Sequence, residues 1–88
     1  MEVDIIKKTI KQVDKAAKVY LFGSRVDDSL KGGDIDLLVF SENILFMDKL
    51  KIKAQLHEKL GEQKIDLLIT EDKSKPFVQL ALENAILL

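Results

Sequence analysis

The sequence predicts an α+β fold, a small sheet flanked by helices, and three observations carry that reading. Apolar residues recur three and four positions apart in some segments and in short unbroken runs in others, so both helical and strand periods are present. The runs "KVYLFG", "DIDLLVF" and "KIDLLIT" are too brief for helices and rich in β-branched and aromatic residues. Turn-forming residues separate the segments, with Gly32, Gly33 and Gly61 at junctions and the single proline, Pro76, near the start of the last one. The resulting order is helix, strand, short helix, strand, helix, strand, helix, which an α+β or an α/β layer accommodates. Pattern alone does not fix the strand directions.

Taken in order, Val3, Ile6, Ile10, Val13 and Ala17 share one face of an amphipathic helix over residues 2–17, with Lys, Gln and Asp opposite. Lys18 to Gly23 forms the first strand, with Tyr20 and Phe22 as core aromatics. Ser24 caps a short helical turn running to Ser29, and Asp27 and Asp28 lie in its first turns. Gly32 and Gly33 turn the chain into the second strand, which ends at Phe40. Residues 41–47 are a loop, and Asp48 is the N-cap of a helix whose staple pairs Met47 with Ile52. Ile52, Leu56 and Leu60 make its stripe, and Gly61 supplies the left-handed residue after its end. Lys64 to Thr70 is the third strand. Ser74 and Pro76 mark the start of a final helix.

Composition narrows the function. At 88 residues the chain is read as one domain, 1–88, with a modest core. Hydrophobic residues at 47% and charged ones at 33% describe a globule and exclude a disordered tail. There is no cysteine, so neither disulfides nor thiolate zinc sites enter. No signal peptide or bilayer-spanning run is visible, and a cytoplasmic location is expected. Fourteen Lys and Arg against fifteen Asp and Glu leave a net charge of −1, which argues against a dedicated nucleic-acid binder.

The chemistry is concentrated in "LFGSRVDDSLKGGDIDLLV". Residues i and i+2 of a strand share a face, so Asp34 and Asp36 point the same way and Ile35 the other. A strand-entry turn explains Asp34, but Asp36 lies inside an apolar run, where an unpaired charge is costly. Asp66 in "KIDLLI" repeats the problem on the third strand. Three aspartates near the ends of two strands are hard oxygen ligands suited to one or two Mg²⁺ ions. Two such ions about 3.5–4 Å apart clamp the attacking and leaving oxygens of a phosphoryl or nucleotidyl transfer. Gly23 lets a phosphate approach the backbone, and Ser24 adds a hydroxyl and the free amides of a helix N-terminus.

The segment from Gly23 to Asp36 resembles the signature of the DNA polymerase β-like nucleotidyltransferase superfamily, and in particular its minimal nucleotidyltransferase (MNT) branch. That signature is Gly-Ser, a spacer of about ten residues, and Asp-x-Asp; here nine residues separate Ser24 from Asp34. The resemblance covers nearly the whole chain. It implies a palm with a three- to four-stranded mixed sheet, nucleotide contacts from Gly23, Ser24 and Arg25, and Mg²⁺ held by Asp34, Asp36 and Asp66. Asp66 would complete the metal site or act as base. It further implies ATP as substrate and a HEPN-type helical toxin as partner, silenced by AMP transfer to a hydroxyl, tyrosine foremost. The alternative within the family is a weak or inactive domain that neutralises its partner by contact alone. Self-association is left open.

The sequence departs from the family pattern where Val26, Asp27 and Asp28 follow Arg25, so that acids stand where a basic residue and a glycine are often found, which opposes a triphosphate unless those acids point away. Lys31 is a candidate for the missing positive charge. His57 is read as a helix-flank residue, and "KKTIK" and "KLKIK" as solvated faces. In "PFVQLALENAILL" one continuous helix would turn Phe77, Leu80, Ala81 and Leu88 to the core and leave Val78, Leu82 and Ile86 uncovered. Either the tail folds over its own domain or a second chain covers it.

Overall fold

The computed structural model describes residues 3–23, 34–61 and 64–88. They form α1 (Val3–Lys11), β1 (Lys18–Phe22), β2 (Asp34–Phe40), α2 (Phe46–Leu60), β3 (Lys64–Thr70), α3 (Pro76–Leu82) and β4 (Ile86–Leu87). The four strands make one mixed sheet in the order β3-β2-β1-β4. β1 is antiparallel to β2 and β4, and β2 is parallel to β3. The α2 crossover between β2 and β3 is what permits their parallel pairing. The fold is therefore α+β, with the mixed sheet that the resemblance implied.

Alternation along the strands sorts side chains onto two faces. Val19, Leu21, Ile35, Leu37, Val39, Ile65 and Leu67 face α1 and α2, where Ile6, Ile10, Ile52 and Leu56 close the main core. Leu38 and Phe40 face α3 and meet Val78 and Ala81, with Tyr20, Phe22, Leu68 and Leu82 packed around them. Tyr20 stands edge-on to Phe40 with ring centroids 5.7 Å apart, as expected of a packed strand aromatic. Asp36 and Asp66 alternate with the residues of the main core and so belong to the α3 side.

Three boundaries differ from expectation. The first helix stops at Lys11, not near residue 17, and Val13 is exposed. Asp14 ends it: its Oδ1 accepts the Ala16 N–H at 3.0 Å, and its Oδ2 accepts the Ser41 hydroxyl at 2.5 Å. An aspartate bonded locally in this way competes with the helical ladder. The helix α2 starts earlier than expected. Its N-cap is Leu45, and Asp48 acts from inside the first turn by accepting the Leu45 N–H at 3.0 Å, the return half of a capping box. Met47 is exposed while Ile52 is buried, so they form no staple. Gly61 donates its N–H to the His57 carbonyl, but with φ +84° and ψ −158° it has positive φ without the left-handed helical conformation expected of it.

The third difference is at the C-terminus. Pro76 opens α3 as expected, but the helix ends at Leu82 and the chain turns back. Ile86 and Leu87 pair with Leu21 and Tyr20, and the Leu88 N–H donates to the Val19 carbonyl at 2.8 Å. The faces differ in part: Ala81 is buried and Leu88 packs on the main core as expected, but Val78 is buried whereas Phe77 and Leu80 are exposed at 59% and 63%. The stretch is apolar on several sides because it serves two elements on one sheet.

Candidate functional site

The parallel register sets Asp36 directly beside Asp66, as Leu37 stands beside Leu67. Adjacent strands are about 4.8 Å apart, so the two carboxylates hang from neighbouring backbones on one face. Asp34 heads the same strand opposite Lys64, two residues before Asp36. Asp36 is half-buried and Asp66 exposed. Both open into a cleft of about 420 Å³ together with Phe22, Phe77, Lys49 and Lys53. Leu67 and Leu68 point to opposite faces yet both line this cleft, so it runs over the outer edge of β3.

Gly23 ends β1 with φ +75°, a conformation L side chains rarely adopt. A Cβ on it would collide with Oδ2 of Asp36, so the missing side chain is the space the carboxylate occupies. The glycine thus has a local purpose: β1 and β2 are antiparallel, with Phe22 opposite Asp36, and Gly23 follows directly on that pair. Phe22 continues the wall of the site, edge-on to Phe77 of α3 at 6.5 Å between ring centroids.

The donor set fits a hard divalent cation. It is all oxygen, carries two formal negative charges on neighbouring strands, and is open to solvent on one side, as a Mg²⁺ that keeps several waters requires. Among the described residues no three metal-ligating side chains gather. The pair that the strands bring together is Asp36 and Asp66. Ser24 and Arg25 lie outside the described residues, as do Asp27, Asp28, Lys31 and the expected short helix from Ser24 to Ser29.

Lys49 and Lys53 were not legible as site residues. In sequence "KLKIK" reads as a solvated face, but α2 packs on β3 and these two lysines, one turn apart, are half-buried against the aspartate cleft. Lys51 between them is exposed, so the i, i+4 spacing was the available signal. His57 is exposed on the same helix and takes no part.

A second cleft, of about 250 Å³, lies at the opposite end of the strands between Asp14, Lys18, Ser41, Glu71 and Lys73. Its buried carboxylate is already satisfied. The Ser41 hydroxyl, opposed by burial and helped by the Ala16 N–H, holds Asp14 below the usual carboxylate range. Lys73 sits over the Phe40 ring at 5.1 Å, a cation–π contact. This end reads as a structural tie between the α1–β1 turn and the β2–α2 loop.

Comparison with known proteins agrees with the fold. Residues 4–88 match the family described as "Polymerase beta, Nucleotidyltransferase". Among solved structures, the chain is similar to one from a crystal structure of a mutant of the toxin-antitoxin MntA-HpeT, with a TM-score of 0.77 and 21% identity. The match covers 100% of this chain and 71% of that one. No curated protein sequence matches. Among the described residues no helix is long and apolar enough to cross a membrane.

Proposed function

The chain belongs to the polymerase beta nucleotidyltransferase family, and from that premise we propose that it transfers AMP from ATP, with Mg²⁺, to a hydroxyl of a partner protein, a tyrosine of a HEPN-type toxin, and so acts as antitoxin in the cytoplasm. The observation that carries the reading is the register that aligns Asp36 with Asp66 beside a glycine whose absent side chain makes room for the Asp36 carboxylate. The similar fold of a chain from a toxin–antitoxin complex supports the class of partner.

In this reading Asp34, Asp36 and Asp66 hold the metal, and Gly23, Ser24 and Arg25 receive the triphosphate. Bound Mg²⁺ supplies charge neutralisation at the phosphates and lowers the pKa of the acceptor hydroxyl. Asp36 would hold the metal over β2, with its Oδ2 in the space that a side chain on residue 23 would fill. Asp66, on the outer strand, is exposed where an acceptor can approach, and it takes up the hydroxyl proton. The acceptor oxygen forms a bond to the α-phosphorus as the bond from that phosphorus to the β-bridging oxygen breaks, and pyrophosphate leaves. Catalysis is positioning plus electrostatic stabilisation, which rewards a site built on strands.

The test is intact-mass analysis of a HEPN-type protein co-expressed with this chain. Added adenylyl masses on the partner, absent with Asp36→Ala, support the reading. An unmodified partner that is nevertheless neutralised by both wild type and Asp36→Ala would leave neutralisation by contact alone in its place.

A further inference from the structure

A further cleft adjoins the aspartate site on the side of the sheet's other edge. It measures about 400 Å³ and is lined by Phe22, Gly23, Phe77, Leu80 and Ala81, with Glu83 and Asn84 beside them. Phe22 and Phe77 line the aspartate cleft as well, so the two clefts share the edge-on ring pair. Gly23, however, lines this cleft and not the aspartate cleft or the one at Asp14.

The register of the last strand explains why these residues meet. β4 runs antiparallel to β1 with Ile86 opposite Leu21, and the same register carried two residues on sets Asn84 level with Gly23. The turn from α3 into β4, where the Ala85 N–H donates to the Leu82 carbonyl at 3.3 Å, is therefore held at the end of β1. Gly23 has the Asp36 carboxylate on its β2 side and this turn on its β4 side. One residue joins the two clefts.

The lining sorts by chemistry. Phe22, Phe77, Leu80 and Ala81 are apolar, and the two polar residues, Glu83 and Asn84, follow each other in the turn. A nucleobase has the matching character, with apolar faces and a polar edge. The volume lies within the ~300–1,000 Å³ usual for small-molecule sites. In a nucleotide one ribose joins base and phosphates, so a base must lie in a cleft contiguous with the end that receives the triphosphate. We propose that this cleft is the base slot of the nucleotide, in which a purine stacks in the corner made by Phe22 and Phe77, above Ala81, with its polar edge toward Glu83 and Asn84. The two rings meet at 82°, so the corner offers the face of one and the edge of the other. A purine covers more of such a corner than a pyrimidine does. The proposal rests on the nucleotidyl-transfer reading for the presence of a nucleotide, and adds where its base lies and which residue stacks on it.

The test is titration calorimetry with three Mg²⁺-loaded probes: ATP, UTP, and tripolyphosphate, which has no base. Wild type is expected to bind MgATP about fivefold more tightly than MgUTP. Phe77 is exposed, so Phe77→Ala leaves the fold intact, as circular dichroism will confirm. That variant is expected to weaken MgATP by about tenfold, the loss typical of one base–aromatic stack, and to bind Mg-tripolyphosphate as the wild type does. Phe77→Trp, which keeps an aromatic face, is expected to hold MgATP at wild-type affinity. Phe46→Ala, an equally exposed phenylalanine outside this cleft, changes none of the three. Wild-type MgATP affinity in Phe77→Ala overturns the proposal, and so does an equal loss for tripolyphosphate, which would place Phe77 at the phosphates. A protein that binds MgATP and MgUTP alike in both wild type and Phe77→Ala removes the base slot and leaves nucleotidyl transfer standing. A protein that binds none of the probes removes nucleotidyl transfer and the slot with it.

Discussion

Replacing Gly23 by alanine separates what the glycine does for the backbone from what it does for the site, because Gly61 provides the control. Both residues have positive φ, +75° and +84°. Confining an alanine there costs on the order of 1–3 kcal/mol of folding free energy at either position. The surroundings differ. A Cβ at Gly61 meets nothing within 4 Å, whereas at Gly23 it overlaps Oδ2 of Asp36, which must move. Gly61→Ala is therefore expected to lower urea stability by the strain alone and to bind MgATP as the wild type does. Gly23→Ala should show a similar or larger stability loss and, in addition, MgATP affinity weakened by about tenfold or more, equivalent to ~1.4 kcal/mol or more. Urea denaturation and titration calorimetry on the three proteins read both quantities. Wild-type affinity in Gly23→Ala would refute the argument that Asp36 is held in place by the missing side chain.

Other substitutions probe separate parts of the molecule. Asp66 is exposed, so Asp66→Asn should alter stability by no more than about 0.5 kcal/mol and yet reduce transfer by about 100-fold or more, read by denaturation and by initial rates on one preparation. Asp14 is the acid-sensitive tie. Its folded pKa is depressed by the Ser41 hydroxyl, so its contribution is fully present above the ordinary carboxylate value and is lost as pH falls through the lower folded value. Asp14→Asn should cost about 1–3 kcal/mol at neutral pH and flatten the fall of stability on the acid side, which urea midpoints measured from pH 7 downward will show. Leu56 is fully buried between α2 and the sheet, and Leu56→Ala should cost about 2–5 kcal/mol in the same assay.

β1, β2 and β3 were legible because each is a brief apolar run bounded by turn residues, and they span the runs that announce them. What escaped depends on partners distant in sequence. The end of α1 is set by Asp14, whose hydroxyl donor Ser41 lies 27 residues away, so periodicity continued where the helix does not. Asp48 carries a capping signal, but it works from within the helix on Leu45, which has no capping side chain of its own. The C-terminal run is apolar for two reasons at once, packing Val78 and Ala81 under the sheet and pairing Ile86 and Leu87 with β1. A single helical period cannot express both.

The site was legible to the same degree. Asp36 and Asp66 were conspicuous as charges inside apolar runs, and the matching apolar alternation of the two runs sets the register that makes them neighbours. Gly23 was marked by its pairing with serine, but the carboxylate that fills its empty space appears only once β1 lies beside β2. Lys49 and Lys53 could not be told from ordinary surface lysines until α2 was docked on the outer strand.

The central claim is the transfer itself, and the position of the label in ATP tests it most directly. Purified chain, Mg²⁺ and a co-purified HEPN-type partner are incubated with ATP labelled either at the α-phosphate or at the γ-phosphate. Nucleotidyl transfer predicts label on the partner from α-labelled ATP only, abolished by Asp36→Ala and by Asp66→Ala. Label arriving from the γ-phosphate, or equal α-labelling by the Asp36→Ala variant, would contradict the account.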